Sequence, residues 1–284
     1  MRAIRGGALV EVPDPMRLPG HEIIRVSRAG LPGDEVVGFT EDGRRVVALM
    51  VADAHAELVS ASERLIFPVP SEITDGQALV LARHGTTAWH LLRTCAHLRP
   101  DETVVVHDAT GGVGSLAVQL ARSFGAGRVI ATADTRARRR FAVELGADVA
   151  VESDPLGMYD RLLAVNDGSP VDIVLAPSGG SVFEQSLDAL APFGRLVGYG
   201  AESATVDPAG LIEGSRAVIG FWLGDCLARP EMVARALSEL MGLTSAGRLR
   251  PVVGDEYPLS QAGKAHADLL ARRAVGTLLL DPSR

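Results

Sequence analysis

The chain of 284 residues suits one large or two ordinary domains, and its apolar fraction of 47% is ample for packed cores. Its 28 basic against 35 acidic residues leave a net charge of -7, which argues against a general nucleic-acid binder, since phosphate backbones need clustered positive charge. No apolar run spans a bilayer, the first seven residues lack a signal-peptide core, and Cys95 and Cys226 are too few for a disulfide framework, so a cytoplasmic protein without a membrane partner is expected.

Residues 1–70 carry short β-like runs at 8–12, 22–26, 45–50 and 56–59, separated by Pro and Gly, which predict an antiparallel β module. Residues 71–98 turn helical: Thr74-x-x-Gln77 opens the segment as a capping box, and His84-Gly85-Thr86-Thr87 interrupts it. The stretch that organises the rest follows. Thr103-Val104-Val105-Val106 has the β-branched composition of a strand buried on both faces, while Val113, Leu116, Ala117, Leu120 and Ala121 recur at helical spacing. Between them, Ala109-Thr110-Gly111-Gly112-Val113-Gly114 fills a G-x-G-x-x-G frame with Ala in the first place. In such a frame Gly111 lets the backbone approach a pyrophosphate, Gly114 lets the helix pack on the strand, and the helix N-terminus faces the anion. The alternative is a glycine-rich strand-to-helix turn with a structural role alone.

Beyond the turn, strands at 128–131, 148–151, 171–175, 195–200 and 217–223 alternate with helices at 136–145, 184–190 and 230–245, the last with Pro at its start. That alternation predicts a parallel, doubly wound sheet with right-handed crossovers. Segments at 248–253 and 275–280 and a helix near 261–272 form the tail.

Several ordered pieces resemble the medium-chain dehydrogenase/reductases, in the zinc-free quinone oxidoreductase (zeta-crystallin-like) branch. They are Leu98-Arg99-Pro100-Asp101-Glu102-Thr103 leading into Gly111-Gly112-Val113-Gly114-Ser115, then Glu144-Leu145-Gly146-Ala147-Asp148, Leu190-Ala191-Pro192-Phe193-Gly194-Arg195, Gly220-Phe221-Trp222 and Gly276-Thr277-Leu278-Leu279-Leu280. The resemblance implies an α/β fold in which a Rossmann doubly wound parallel sheet domain, residues 83–247, is inserted into a reduced, mostly antiparallel β GroES-like domain made of residues 1–82 plus 248–284. It also implies NADPH over the glycine turn, with Ala109, Thr110, Gly111, Gly112, Val113 and Gly114 beneath it. The nicotinamide would lie near Tyr199, Gly200 and Gly220-Phe221-Trp222, although ordinary core packing at strand ends accounts for Tyr199 and Trp222 equally well. A small-molecule substrate, an active cleft at the domain junction and a homodimer paired through the edge strand near 217–223 complete the implied picture. Pro19-Gly20-His21-Glu22 imitates the Gly-His-Glu of zinc alcohol dehydrogenases, but no cysteine precedes it and no cluster of four cysteines follows. A catalytic zinc needs three protein ligands, so no metal is expected.

Cofactor preference is argued from the end of the second strand, where an acidic side chain would take the ribose hydroxyls of NAD. Ala133 fills that slot, with Asp134 one residue late, and the forks of Arg136 and Arg138 suit a 2′-phosphate, which favours NADPH over NADH. A one-residue shift would instead place Asp134 where it repels the phosphate, and the arginines also suit a solvated helix face.

The N-terminal portion departs from the family pattern. Where relatives continue into a loop that walls the substrate pocket, Gly30 passes directly to Leu31-Pro32-Gly33-Asp34-Glu35-Val36-Val37-Gly38, so the pocket loop is read as deleted. Among the remaining candidates, Thr87 matches the family's Gly-x-Thr-Ala-Trp segment as Gly85-Thr86-Thr87-Ala88-Trp89. His84 suits a proton donor or acceptor near neutral pH, against a hydrogen-bonded structural role. Trp222, Asp225 and Cys226 are pocket candidates. His107 is expected to support its strand end, whereas His55, His90, His97 and His266 show no constellation around them. Asp108 stands where the family has a small residue, and a carboxylate there weakens pyrophosphate binding unless it points away or caps the turn.

The leading expectation is an NADPH-dependent oxidoreductase that transfers hydride to a quinone or an α,β-unsaturated carbonyl in an open, reshaped pocket. The alternatives are a non-redox cyclase or isomerase of specialised metabolism with structural or absent NADPH, and a nucleotide-sensing binding protein.

Overall fold

The structure, a computed structural model, describes residues 1–31, 33–200, 204–271 and 276–284. Pro32 in the connection after Gly30, Arg272 in the expected tail helix and Val275 in the expected last strand lie outside the described residues. Two compact units are present, one formed by Met1–Thr86 with Gly224–Arg284 and the other by Thr87–Leu223.

In chain order the first unit supplies β1 (Arg2–Arg5), β2 (Ala8–Glu11), β3 (His21–Gly30), β4 (Glu35–Thr40), β5 (Arg45–Leu49), β6 (Leu58–Ser62) and β7 (Ile66–Pro68). The second supplies β8 (Thr103–Val106), β9 (Arg128–Ala133), β10 (Val149–Glu152), β11 (Val171–Ala176), β12 (Leu190–Gly198) and β13 (Ala217–Gly220). The chain then returns to the first unit for β14 (Val253–Pro258) and β15 (Thr277–Asp281).

The first unit is mostly antiparallel. Its sheet runs β14-β15-β3-β4-β5-β7 with β6 paired to β3, and only β14 and β15 run parallel, while β1 and β2 form a separate hairpin. β4 was not among the expected runs. Its residues are buried almost throughout, so it lacks the polar alternation by which a half-exposed strand is read. The core is built from Ile24, Val26, Val36, Val46, Val59, Leu278 and Leu280, closed by Leu259 and Ala262 of the tail. The helix Pro230–Ser245 groups with this unit and buries Val233, Leu237 and Leu240.

The capping box at Thr74 forms as read: Gln77 N–H donates to the Thr74 hydroxyl at 3.2 Å, and the Gln77 side chain accepts from Thr74 N–H at 2.9 Å. The expected interruption at His84-Gly85-Thr86-Thr87 does not occur. Residues Leu81–Gly85 instead form a wider π-helical turn that carries the helix Asp75–Val80 into Thr86–His90. The Thr86 amide and hydroxyl both donate to Leu81, which supplies the five-residue closure that a Gly alone does not break.

The second unit is a six-stranded parallel sheet in the order β10-β9-β8-β11-β12-β13, the doubly wound arrangement expected of a Rossmann domain. Its strands are near-continuous apolar runs because both faces are covered; Val104, Val105, Val106, Ile130, Ile173 and Val174 have no exposed surface. One boundary differs from the sequence reading. The helix expected at 184–190 runs Gly180–Asp188, and Leu190 already belongs to β12, where it pairs with Val171 on the neighbouring strand. β13 is likewise shorter than read, ending at Gly220. No helix among the described residues is long and apolar enough to cross a membrane.

Candidate active site

In a sheet of this order the winding reverses between β8 and β11, and the carboxyl ends of those strands frame a crevice. The glycine turn sits there. β8 ends at Val106, the helix Gly112–Ser123 begins six residues on, and Gly111 is its N-cap with no side-chain capping bond. Backbone bonds hold the turn on both sides: His107 N–H donates to Leu175 O at 3.2 Å, Ala109 N–H to Thr132 O at 3.1 Å and Gly111 N–H to Asp108 O at 2.9 Å. A Cβ on Gly114 would collide with the Asp108 carbonyl, so this position must be glycine for the helix to seat on the strand. Gly114 thus does what the sequence frame requires of the glycine that seats the helix on the strand.

Beneath the turn His107 is buried, its ring shared between Thr132 Oγ1 at 3.0 Å and Ser186 Oγ at 2.8 Å. Burial holds its pKa down to about 4, so at neutral pH it is an uncharged bolt joining β8, β9 and the helix Gly180–Asp188. That matches its expected supporting role.

At the end of β12, Tyr199 is half-buried, and burial together with the Asp108 carboxylate pushes its hydroxyl's ionisation upward, so the phenol keeps its proton. A Cβ on Gly200 would overlap the Pro177 carbonyl, which ties the exits of β11 and β12 together. At the end of β9, Asp134 turns back on its own helix: it accepts from Thr135 N–H at 2.7 Å and pairs with Arg138 at 3.1 Å. Arg139 donates to the carbonyls of Ala133 and Asp134, and Arg136 is exposed.

Thr87 is buried, as are Trp89 and His90 beside it. The His90 ring meets Trp89 edge-on at 4.9 Å and stacks on Phe221 at 5.9 Å, so the helix Thr86–His90 and the segment after β13 share one aromatic cluster. His90 therefore does have a constellation, one invisible in sequence because Phe221 lies 131 positions away. Trp222, by contrast, is 71% exposed, and Asp225 is exposed on the short helix Leu223–Leu227.

Within the first unit, His84 is half-buried, and its Nδ1 lies 2.9 Å from Thr277 Oγ1. Burial and the adjoining Arg83 hold its pKa down to about 4; the ring is neutral at pH 7 and does not titrate near neutrality. Arg83 pairs with Asp34 and, at 3.1 Å, with Glu35, whose side chain is fully buried. Burial, reinforced by Asp34 and offset in part by Arg83, pushes the Glu35 carboxyl up to about 8. His55 and His266, expected to stand alone, face each other at 5.6 Å.

A family profile described as zinc-binding dehydrogenase matches residues 112–241. The chain is 32% identical over 254 residues to a quinone oxidoreductase of Pseudomonas aeruginosa, covering 88% of this chain and 78% of the relative. The chain belongs to the medium-chain dehydrogenase/reductase superfamily, in its quinone oxidoreductase branch. Two solved structures carry the likeness through the whole fold. The Thermus thermophilus quinone oxidoreductase, solved alone and with NADPH, is 33% identical with a TM-score of 0.87, covering 99% of this chain and 100% of that one. The Escherichia coli quinone oxidoreductase, complexed with NADPH, is 26% identical with a TM-score of 0.88, covering 99% of each chain.

This oxidoreductase holds, among its described residues, no group of three or more His, Cys, Asp and Glu side chains arranged to bind a metal ion. His21 opens β3 with its Nδ1 3.2 Å from Pro19 O, and Glu22 takes Arg44. A hollow of about 490 Å³ opens at the amino ends of the parallel strands, beside Cys95, Arg99, Asp172 and Phe193. Arg195 in its wall is already committed to a two-pronged pair with Glu102 and to the Ala96 carbonyl. It lies away from the carboxyl ends where open α/β sheets take their ligands.

Proposed function

We propose that the protein is an NADPH-dependent reductase of quinones or α,β-unsaturated carbonyls. The observation that carries the reading is the glycine turn at the winding reversal, where Gly111 caps the helix Gly112–Ser123 and Gly114 admits no side chain. The NADPH complexes of the Thermus thermophilus and Escherichia coli relatives support the choice of cofactor. NADPH, when bound, supplies a hydride from its nicotinamide.

In this reading the amides of Gly112, Val113 and Gly114 receive the pyrophosphate, and Arg136 and Arg138 receive the 2′-phosphate, Arg138 exchanging its pair with Asp134 for the stronger anion. Tyr199 and Gly200 border the nicotinamide, and Tyr199 presents a protonated hydroxyl as a donor. Thr87 and the neutral ring of His84 are the candidate groups for orienting a carbonyl oxygen by hydrogen bonding, the proton of the reduced product coming from solvent. Trp222 and Asp225 border the substrate. A quinone gains the hydride and a proton to become a hydroquinone; an enone gains the hydride at its β-carbon and a proton at its α-carbon. The protein acts as a homodimer through the edge strand β13, expected as a dimer mass in light scattering at micromolar concentration.

The test is a titration with NADPH and NADH followed by nicotinamide fluorescence, then a screen of quinones and enones followed by loss of reduced-nicotinamide absorbance. NADPH binding tighter than NADH, with turnover of at least one class, is the expected result. Absence of binding by either dinucleotide overturns the reading.

A further inference from the structure

Asp108 is an acidic residue in the one turn where this site must receive an anion. Its backbone is left-handed, at φ +48, a conformation that Asp and Asn adopt more readily than most residues. That conformation is locked. The neighbouring amides of His107 and Ala109 donate to β11 and β9, and the Asp108 carbonyl accepts from Gly111. Its side chain has a defined place as a result: a Cβ built on Gly111 would collide with the Asp108 carboxylate, with Cγ at 3.0 Å.

The consequence follows from what Gly111 is for. Its missing side chain opens the space through which a pyrophosphate approaches the backbone, and in this chain a carboxylate already stands in that space. Gly111 has no side chain with which to cap the helix Gly112–Ser123, and the first turn of that helix has no acidic residue, so the carboxylate over Gly111 stands at a positive helix end that carries no acidic residue of its own. The charge also acts across the crevice, where it helps hold the Tyr199 hydroxyl protonated.

We propose that Asp108 is a built-in anion in the dinucleotide site, which competes with the cofactor's pyrophosphate and keeps NADPH binding weaker than the fold allows. The proposal rests on the reading that this turn binds NADPH. It makes Asp108 an affinity-setting residue whose removal improves binding, the opposite of what loss of a cofactor contact does.

The experiment compares wild type with Asp108→Asn, which keeps the shape and tolerates the left-handed backbone, and Asp108→Gly, which tolerates it with no side chain at all. NADPH is titrated by nicotinamide fluorescence, and 2′-AMP, which lacks the pyrophosphate, by competition; melting curves verify that each variant is folded. Both variants are expected to bind NADPH about tenfold more tightly, the order of magnitude for removing a like charge a few ångströms away, with 2′-AMP affinity unchanged. Wild type that binds NADPH while neither folded variant binds it more tightly overturns the role of Asp108 and leaves the cofactor reading intact. Equal tightening of 2′-AMP also overturns it, since the charge then acts on no particular phosphate. NADPH binding by neither wild type nor variants removes the cofactor reading itself, whereas binding gained only by the variants supports both.

Discussion

The glycine turn at 107–114 and the short connection at 30–35 both redirect the chain at the end of a strand, and each rests on one buried ionisable side chain. Under the glycine turn this is His107, kept uncharged by burial and satisfied by two hydroxyls. At the connection it is Glu35, fully buried and set between the Asp34 carboxylate and the Arg83 guanidinium. Both are held uncharged at neutral pH, the first as a base kept without its proton and the second as an acid kept with it. They therefore fail in opposite directions of pH: the folded state refuses a proton at His107 that the unfolded chain takes up below its ordinary 6.5, and retains one at Glu35 that the unfolded chain releases above its ordinary 4.5.

The largest break in this comparison comes from the backbone of the turn. Gly114→Val places a side chain against the Asp108 carbonyl and the Ala109 Cα, neither of which can move aside. Chemical denaturation should show a cost above about 3 kcal/mol, together with loss of NADPH binding, since overpacking against fixed backbone exceeds ordinary core strain.

The connection is broken by pH instead. Between about pH 4.5 and 8 the folded protein holds a Glu35 proton that the unfolded chain has lost, so stability declines as pH rises through that window and levels off above it. One proton sets a ceiling of about 1.4 kcal/mol per pH unit. With Arg83 and Asp34 each about one-third exposed, we expect about 2 kcal/mol across the window. Glu35→Gln should remove that decline, read as urea midpoints at pH 5 and pH 8; a variant with an unaltered slope would place the proton elsewhere.

His107→Phe sharpens the other side. It strands the Thr132 and Ser186 hydroxyls on the His107 side and should cost about 2 kcal/mol or somewhat less at pH 7. It should also flatten the loss of stability that wild type shows as pH falls from 6.5 towards 4, since the unfolded chain no longer gains a proton at this position. Equal acid sensitivity in variant and wild type would assign that slope to His84, which shares the same direction of shift.

The smallest effect belongs to the rim of the glycine-turn unit. Arg138 is part of an exposed pair with Asp134, so Arg138→Ala should change stability by less than about 0.5 kcal/mol while weakening NADPH severalfold. Unchanged NADPH affinity would leave Arg136 as the group for the 2′-phosphate.

Local chemistry determined much of this protein in the sequence alone. The capping box at Thr74 and Gln77 forms with both bonds, and the helix beginning at Pro230 starts and stops where it was read, because caps and a fixed proline φ act within one turn of chain. The glycine turn was legible for the same reason: the change from strand period to helix period happens within a dozen residues. Doubly wound topology followed from the alternation of elements, which admits few alternatives.

What only the tertiary structure decided depends on residues far apart in the chain. Leu190 is drawn out of a helix by pairing with Val171, and His90 finds Phe221, with no local signal for either. The ionisation of Glu35 depends on Arg83, 48 positions later, and on burial between the neighbouring strands β3 and β5. Asp108 shows the division within a single residue. Its charge in the turn was readable as an oddity, but whether the carboxylate pointed away or stood over Gly111 depended on a left-handed backbone held by carbonyls of β9 and β11. Spacing along a sequence carries periodicity and caps; it does not carry the direction of a side chain whose backbone is fixed by strands that the fold brings together.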